Sequence, residues 1–208
     1  VSSSVPPQPD HGWPAMLATI AGVAGLAALF TFVPWLYAHG LYLRDAVRLD
    51  GQWWRVATAM WVHLDWRHYL ADMAAAAGLL LLAGRATRIR EMLAILVISG
   101  LAVQVALLNI PSVGWYGGLS GALHGLALWA GLRLLQAPGF SRVIGVITCV
   151  VVIGKVWTEQ SWLAALVFDP SWGFGIVRAA HAAGAIAGLA CWVLQEWWRT
   201  RRGNGAGR

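Results

Sequence analysis

Apolar residues along this chain come in long runs rather than in alternation. Trp13 to Tyr37 carries no charge over 25 positions, more than the roughly 20 residues that cross a bilayer as a helix. Pro34 is expected to kink its end. A second run extends from about Trp66 to Ala83 and stops at the basic loop Gly84-Arg85-Ala86-Thr87-Arg88-Ile89-Arg90. Met92 to Ile110 is uncharged and is stopped by Pro111; a glycine-rich turn then leads into a fourth run, about Leu119 to Gln136. Two more, Val143 to about Trp157 and Ala179 to Trp198, are interrupted by Lys155 and His181 respectively. The pattern predicts an all-α integral membrane protein with six spanning helices. Residues 38–67 break it, mixing Arg44, Asp45, Arg48, Asp50, Arg55, Asp65 and Arg67 with Trp53, Trp54, Trp61 and Trp66. Charges of both signs beside indole rings predict a first loop lying in the membrane interface.

Composition agrees with that reading. Of 208 residues, 59% are hydrophobic and 12% charged, against roughly 45–50% and 25% in soluble domains. A soluble enzyme, a disordered chain and a nucleic-acid binder are all disfavoured, although the net charge is +6. The length suits one domain: a leader over 1–12 rich in Ser and Pro, expected to be disordered, a membrane domain over 13–198 and a basic tail over 199–208. No basic stretch precedes the first apolar run, so a cleaved signal peptide is not expected. The positive charge is better read as topology. Arg85, Arg88 and Arg90, then Arg133 and Arg142, then Arg199, Arg201, Arg202 and Arg208 all fall on one side of a six-span arrangement. By the positive-inside rule that side is cytoplasmic, with both termini. Cys149 and Cys191 lie inside apolar runs, where a disulfide framework is not expected.

A nucleophilic or ionisable side chain inside an apolar span is costly and points to function. In Tyr116-Gly117-Gly118-Leu119-Ser120-Gly121-Ala122-Leu123-His124-Gly125, Ser120 and His124 share a helix face, and Gly117, Gly121 and Gly125 form a stripe that admits a close helix. In such a stripe a lone Ser can be just one more small packing residue. The Gly-x-Ser-x-Gly elbow of hydrolases is absent, because Ala122 stands where its last glycine belongs. A second cluster is Ala180-His181-Ala182-Ala183-Gly184-Ala185-Ile186-Ala187-Gly188, a single imidazole in a span of small and apolar residues. Alone, His181 could bind metal or satisfy a carbonyl; with Ser120 it offers a base and a nucleophile on two helices that can touch. The third cluster is His63-Leu64-Asp65-Trp66-Arg67-His68-Tyr69-Leu70-Ala71-Asp72, with His68 and Asp72 one turn apart. It lacks the His-Glu-x-x-His zinc motif, so no metal and no other cofactor is expected.

These clusters, in this order, resemble the rhomboid intramembrane serine proteases. The matching text is Trp54-Arg55 in the first loop, His63, His68 and Asp72 for His-x4-His-x3-Asn, Gly118-Leu119-Ser120-Gly121 for Gly-x-Ser-Gly, and Ala180-His181-x-x-Gly184-x-x-x-Gly188. It covers about residues 50–195. Within that superfamily the chain looks most like a rhombosortase, through its compact size, Ser120-Gly121-Ala122-Leu123-His124-Gly125 and Lys155-Val156-Trp157-Thr158-Glu159-Gln160. Two positions depart from the superfamily pattern: Asp72 replaces Asn, and His124 stands where many rhomboids carry an aromatic residue packed on the histidine.

The resemblance implies a six-helix rhomboid-like bundle in the bacterial inner membrane, its active site opening toward the periplasm. It implies Ser120 as nucleophile and His181 as general base, a dyad that needs no third acid, with His124 packed against the imidazole. His68, the residue at Asp72 and backbone N–H groups near Ser120, beside Gly118, would hold the oxyanion, where losing one donor costs roughly 10²–10³ in rate. An ionised Asp72 would repel the oxyanion; it would serve as Asn does only when protonated, or would stay charged and hold His68 as imidazolium. Lys155 and Glu159, i and i+4 near the end of span five, read as a helix-end ion pair or as contacts to the substrate tail. The implied partners are the lipid bilayer and exported transmembrane proteins with a sorting tail: a glycine-rich motif, a C-terminal transmembrane helix and a basic end. The alternatives are a general rhomboid protease and a non-catalytic rhomboid-like binding protein; a solute transporter is disfavoured, because no inverted repeat appears.

Overall fold

The computed structural model describes residues 12–205; apart from Gly12, the expected leader lies outside the described residues. Helix α1 (Trp13–Phe32) ends at Val33, whose extended backbone is what the following proline favours, and α2 (Pro34–Gly40) restarts with Pro34 in its first turn. The expected kink is thus a break between two helices. The first loop then folds into a two-residue strand β1 (Tyr42–Leu43), short helices α3 (Arg44–Arg48) and α4 (Arg55–Thr58), and a 3₁₀ turn at Ala59–Trp61. Arg55 organises this loop from a buried position, donating to the carbonyls of Ala38 (3.0 Å) and Leu41 (2.6 Å) and to Gln52 Oε1 (2.7 Å). Trp53, Trp54 and Trp66 stay exposed, whereas Trp61 packs on the core.

Five long helices follow. Helix α5 (Trp66–Ala83) starts where Asp65 Oδ1 accepts the His68 N–H at 2.7 Å, a side-chain cap. Helix α6 (Ile89–Leu107) begins and ends about one turn earlier than the uncharged run, because Arg90 and Glu91 are accommodated in its first turn. Strand β2 (Trp115–Tyr116) pairs antiparallel with β1, Tyr42 opposite Tyr116, and fixes the first loop to the segment before α7 (Ser120–Leu135). Helix α8 (Phe140–Glu159) is followed by a hairpin, β3 (Val167–Asp169) with β4 (Phe174–Ile176), and then by α9 (Arg178–Gly205). Helix α9 continues beyond Trp198 into the stretch expected to be a tail.

The fold is mostly helical, and α7 is its centre. Gly121, Ala122, Leu123 and every residue from Gly125 to Gly131 are buried against α5, α6, α8 and α9. Trp129, fully buried, donates its indole N–H to Gln195 Oε1 of α9 at 2.8 Å, and Arg133 reaches Glu196 at 3.2 Å. Helices α1 and α8 lie outermost and expose broad apolar faces. Among the described residues, α1, α6 and α8 are each long and apolar enough to cross a membrane.

Candidate active site

The site forms where four helices present polar side chains to one cavity. Ser120 is the first residue of α7, and His181 lies in the first turn of α9. Small residues bring the two backbones together. A Cβ added at Gly184 would meet the Gly121 carbonyl carbon at 2.7 Å, and one at Gly188 the Gly125 carbonyl carbon at 2.7 Å. Such an approach is what small-residue stripes permit. It sets Ser120 Oγ 3.1 Å from His181 Nε2, with His181 only 6% exposed. The His124 ring stacks on His181, centroids 4.2 Å apart and planes at 13°, and His124 Nδ1 donates to the Ser120 carbonyl at 2.7 Å.

On the far side of His181, Nδ1 lies 2.7 Å from Glu159 Oε2. The other carboxylate oxygen accepts from Lys155 Nζ, also at 2.7 Å. Glu159 is thus turned toward the imidazole, both of its oxygens engaged, while Lys155 keeps about half of its side chain exposed and lines the cavity. The i,i+4 pair read from the sequence exists, and its carboxylate also reaches α9 over an equal distance.

Asp72 anchors a second network, on α5. Its Oδ2 accepts the Leu119 N–H at 2.8 Å and lies 3.1 Å from His63 Nε2 and 3.4 Å from His68 Nε2. His63 is fully buried, with Thr31 Oγ1 3.2 Å from its Nδ1; Leu64 N–H donates to His68 Nδ1 at 3.4 Å, leaving the ring proton of a neutral His68 on Nε2. The Leu119 N–H donates to this oxygen and two imidazole nitrogens lie beside it, so Oδ2 sits as an acceptor. Neither a protonated carboxyl donor nor an imidazolium partner is needed to account for these contacts. Gly118 lies against this network at φ +130°, and a Cβ there would meet the His68 ring at 2.7–2.8 Å. Only glycine combines that dihedral with that space.

The cavity between the two networks is about 250 Å³ and is lined by Ser120, His181, His68, Leu123, Trp172 and Phe174 among others. The β3–β4 hairpin roofs it. Phe174 and Trp172 stand with ring centroids 5.3 and 6.2 Å from His68, and Arg67 ties the hairpin down by donating to the carbonyls of Ser171 (3.3 Å) and Trp172 (3.0 Å). Sequence reasoning read Arg67 only as an interfacial charge and singled out neither Trp172 nor Phe174. The turn residues Pro170 and Gly173 between short apolar pieces were the available signal. His63 was visible only as the first position of the His-x4-His spacing.

A hydroxyl hydrogen-bonded to a buried imidazole, beside a roofed cavity, is the geometry of nucleophilic catalysis. Among the described residues, no group of three or more His, Cys, Asp or Glu side chains is arranged to hold a metal ion. Residues 50–196 match the rhomboid domain. No match to an individual curated protein accompanies it. That match takes in most of the chain, from the first loop through α9, and with the apolar helices it marks a membrane protein: the chain belongs to the rhomboid family, the intramembrane serine proteases.

Proposed function

We propose that the chain is an intramembrane serine endopeptidase in which Ser120 is the nucleophile and His181 the general base, acting on exported proteins at a glycine-rich tail beside a C-terminal transmembrane helix. The observation that carries the reading is the 3.1 Å contact between Ser120 Oγ and the buried His181 Nε2. In this mechanism the Ser120 proton passes to His181 as Oγ attacks the carbonyl, and His181 then returns it to the leaving amine. The His68 Nε2–H, held only loosely by Asp72, can turn to the oxyanion together with backbone N–H groups near Ser120. Asp72 positions His68 rather than donating itself. Lys155 at the cavity rim remains a candidate contact for the substrate tail.

In the membrane, α1 and α5 to α9 are the six crossing helices, both termini are cytoplasmic and the first loop lies at the periplasmic interface, as the arginine distribution supports. Cavity size bears on the substrate. A cavity of about 250 Å³ is small beside a helix roughly 10–12 Å across, which favours a scissile segment that enters unwound. Glycine lowers helix stability by about 1 kcal/mol per residue and leaves the backbone accessible. That favours a glycine-rich segment just outside a transmembrane helix, the rhombosortase-like specificity.

The test pairs a serine-directed fluorophosphonate with two reporters. Labelling is expected in the parent and lost in Ser120→Ala and His181→Ala; labelling retained in Ser120→Ala removes the serine-protease reading, and no labelling in the parent favours a non-catalytic binding protein. A reporter with a glycine-rich tail should be cut, its new C-terminus mapped by mass spectrometry, and one with those glycines replaced by leucine should survive. Equal cutting would point to a general rhomboid protease.

A further inference from the structure

We propose that Glu159 is the positioning carboxylate of this site, so that the working unit is Ser120–His181–Glu159 rather than a serine–histidine pair alone. The inference rests on the protease reading above and deepens it. Its first support is tautomer chemistry. A carboxylate can only accept, so the 2.7 Å contact between Glu159 Oε2 and His181 Nδ1 puts the ring proton on Nδ1. The lone pair of Nε2 then faces Ser120 Oγ at 3.1 Å, the arrangement a general base requires. Without the carboxylate, the neutral ring is free to carry its proton on Nε2, where it blocks proton abstraction.

Orientation supplies the second support. Glu159 is the last residue of α8, and the helix ends there because Gln160 turns into the left-handed region at φ 49°. The Glu159 carbonyl accepts Arg178 Nη1 at 2.8 Å, joining the end of α8 to the start of α9, three residues before His181. Lys155, one turn back, takes the remaining carboxylate oxygen. The carboxyl group is therefore held from its backbone, from its second oxygen and from the imidazole. Its side chain is 13% exposed and that of His181 8%, so little water competes for the contact. His124 stacked on the ring restricts the third direction, leaving the imidazole no free rotation.

The proton account closes without Glu159 gaining a proton. As the Ser120 Oγ–carbon bond forms, the hydroxyl proton moves to Nε2, and the imidazolium created stands against the Glu159 charge. When the carbon–nitrogen bond breaks, that proton leaves with the amine. Glu159 stabilises the intermediate charge and holds the tautomer.

The experiment uses the full-length protein in detergent and follows Ser120 modification by a fluorophosphonate, in which the Oγ–phosphorus bond forms and fluoride leaves. The limiting rate in Glu159→Gln should fall by about 10²–10⁴. The probe concentration giving half that rate should change by less than roughly threefold, since positioning acts on the reaction and not on binding. Glu159→Asp keeps the charge and should retain more of the rate than Glu159→Gln; should the Gln variant fail to fold, the Asp variant carries the comparison with the parent. A low-field proton resonance from His181 Nδ1–H, present in the parent, should disappear in Glu159→Gln. Parental rates in both Glu159 variants, or a Gln variant as fast as the Asp variant, would overturn the proposal while leaving the protease reading intact. Modification persisting in Ser120→Ala would instead remove the protease reading itself.

Discussion

Gly184→Ala tests whether the close approach of α7 and α9 sets the reactive distance. The added Cβ would overlap the Gly121 carbonyl oxygen and lie 2.7 Å from the carbonyl carbon. Ordinary carbon contacts are about 3.5–4.0 Å, so the helices must part by roughly 1 Å, because both sides of the contact are backbone. Ser120 is next to Gly121, and His181 is three residues before Gly184. Their 3.1 Å contact would stretch to about 4 Å, beyond hydrogen-bond reach. A misplacement of about 1 Å at a reacting pair costs on the order of 10² in rate. Stability should change much less: overpacking costs about 1–3 kcal/mol, partly offset by the roughly 1 kcal/mol better helix propensity of Ala. The assay is the rate of Ser120 modification set beside thermal unfolding in the same detergent. Gly188→Ala, on the Gly125 backbone one turn further from the site, should show a similar stability change and a smaller rate loss. Gly78, with nothing within 4 Å of its Cβ position, should accept Ala at no cost to either. Parental rate and stability in Gly184→Ala would refute the reasoning, as would equal rate losses at 184 and 188.

Three further outcomes follow from the second network and from the cap of α5. Asp72→Asn keeps an oxygen for the Leu119 N–H and should lose about 1 kcal/mol, whereas Asp72→Ala strands that donor and two imidazoles and should lose several-fold more; equal unfolding temperatures for the two would contradict this. Gly118→Ala, strained at φ +130° and driven into the His68 ring, should reduce Ser120 modification at least tenfold on the scale of a lost oxyanion donor, and a parental rate would exclude His68 from the site. The His68 N–H holds the Asp65 carboxyl below its ordinary range, so its stabilisation is present above the unfolded-state value and is lost as pH falls through the lowered one. Asp65→Ala should therefore be about 1 kcal/mol less stable at neutral pH and converge with the parent in acid, as thermal unfolding against pH will report.

Much of this architecture is legible in the apolar runs because a helix in lipid must satisfy its backbone internally, which makes length and charge strong signals. The span Trp66–Ala83 could be bounded at both ends, since Asp65 is a capping residue and the basic loop follows Ala83. The glycine stripes on α7 and α9 also showed which faces could meet. What the sequence concealed was contact across the chain. Glu159 pairs with Lys155 at i,i+4, a spacing visible locally, whereas His181, 22 residues on, reaches its other oxygen only through the packing of α8 against α9. Yet the chain has only three glutamates, Glu91, Glu159 and Glu196, and an imidazole in an apolar span calls for a partner. Asp72 raised the opposite difficulty: its identity allowed either a protonated donor or a charged partner for His68, and only the fold brings the Leu119 N–H onto its Oδ2.

In the mechanism proposed above, Ser120 stands between two carboxylate–histidine systems with different roles. Asp72 gathers His63, His68 and the Leu119 N–H on one side, and Glu159 gathers His181 and Lys155 on the other. A buried carboxylate left with one partner removed is costly, because its charge stays desolvated and uncompensated, so each acid is surrounded by several donors. The separation also has a chemical reason. An oxyanion needs donors and no nearby bare negative charge, whereas an imidazole about to become cationic needs an acceptor. In that reading Asp72 meets the first condition by giving its Oδ2 to the Leu119 N–H while His68 stays loosely held beside it, and Glu159 meets the second directly at Nδ1. Exchanging the acidic partners' roles would set a bare charge beside the reacting carbonyl and leave the base unheld. The two networks sit on different helices, α5 on one side and α8 with α9 on the other, and α7 carries Ser120 between them.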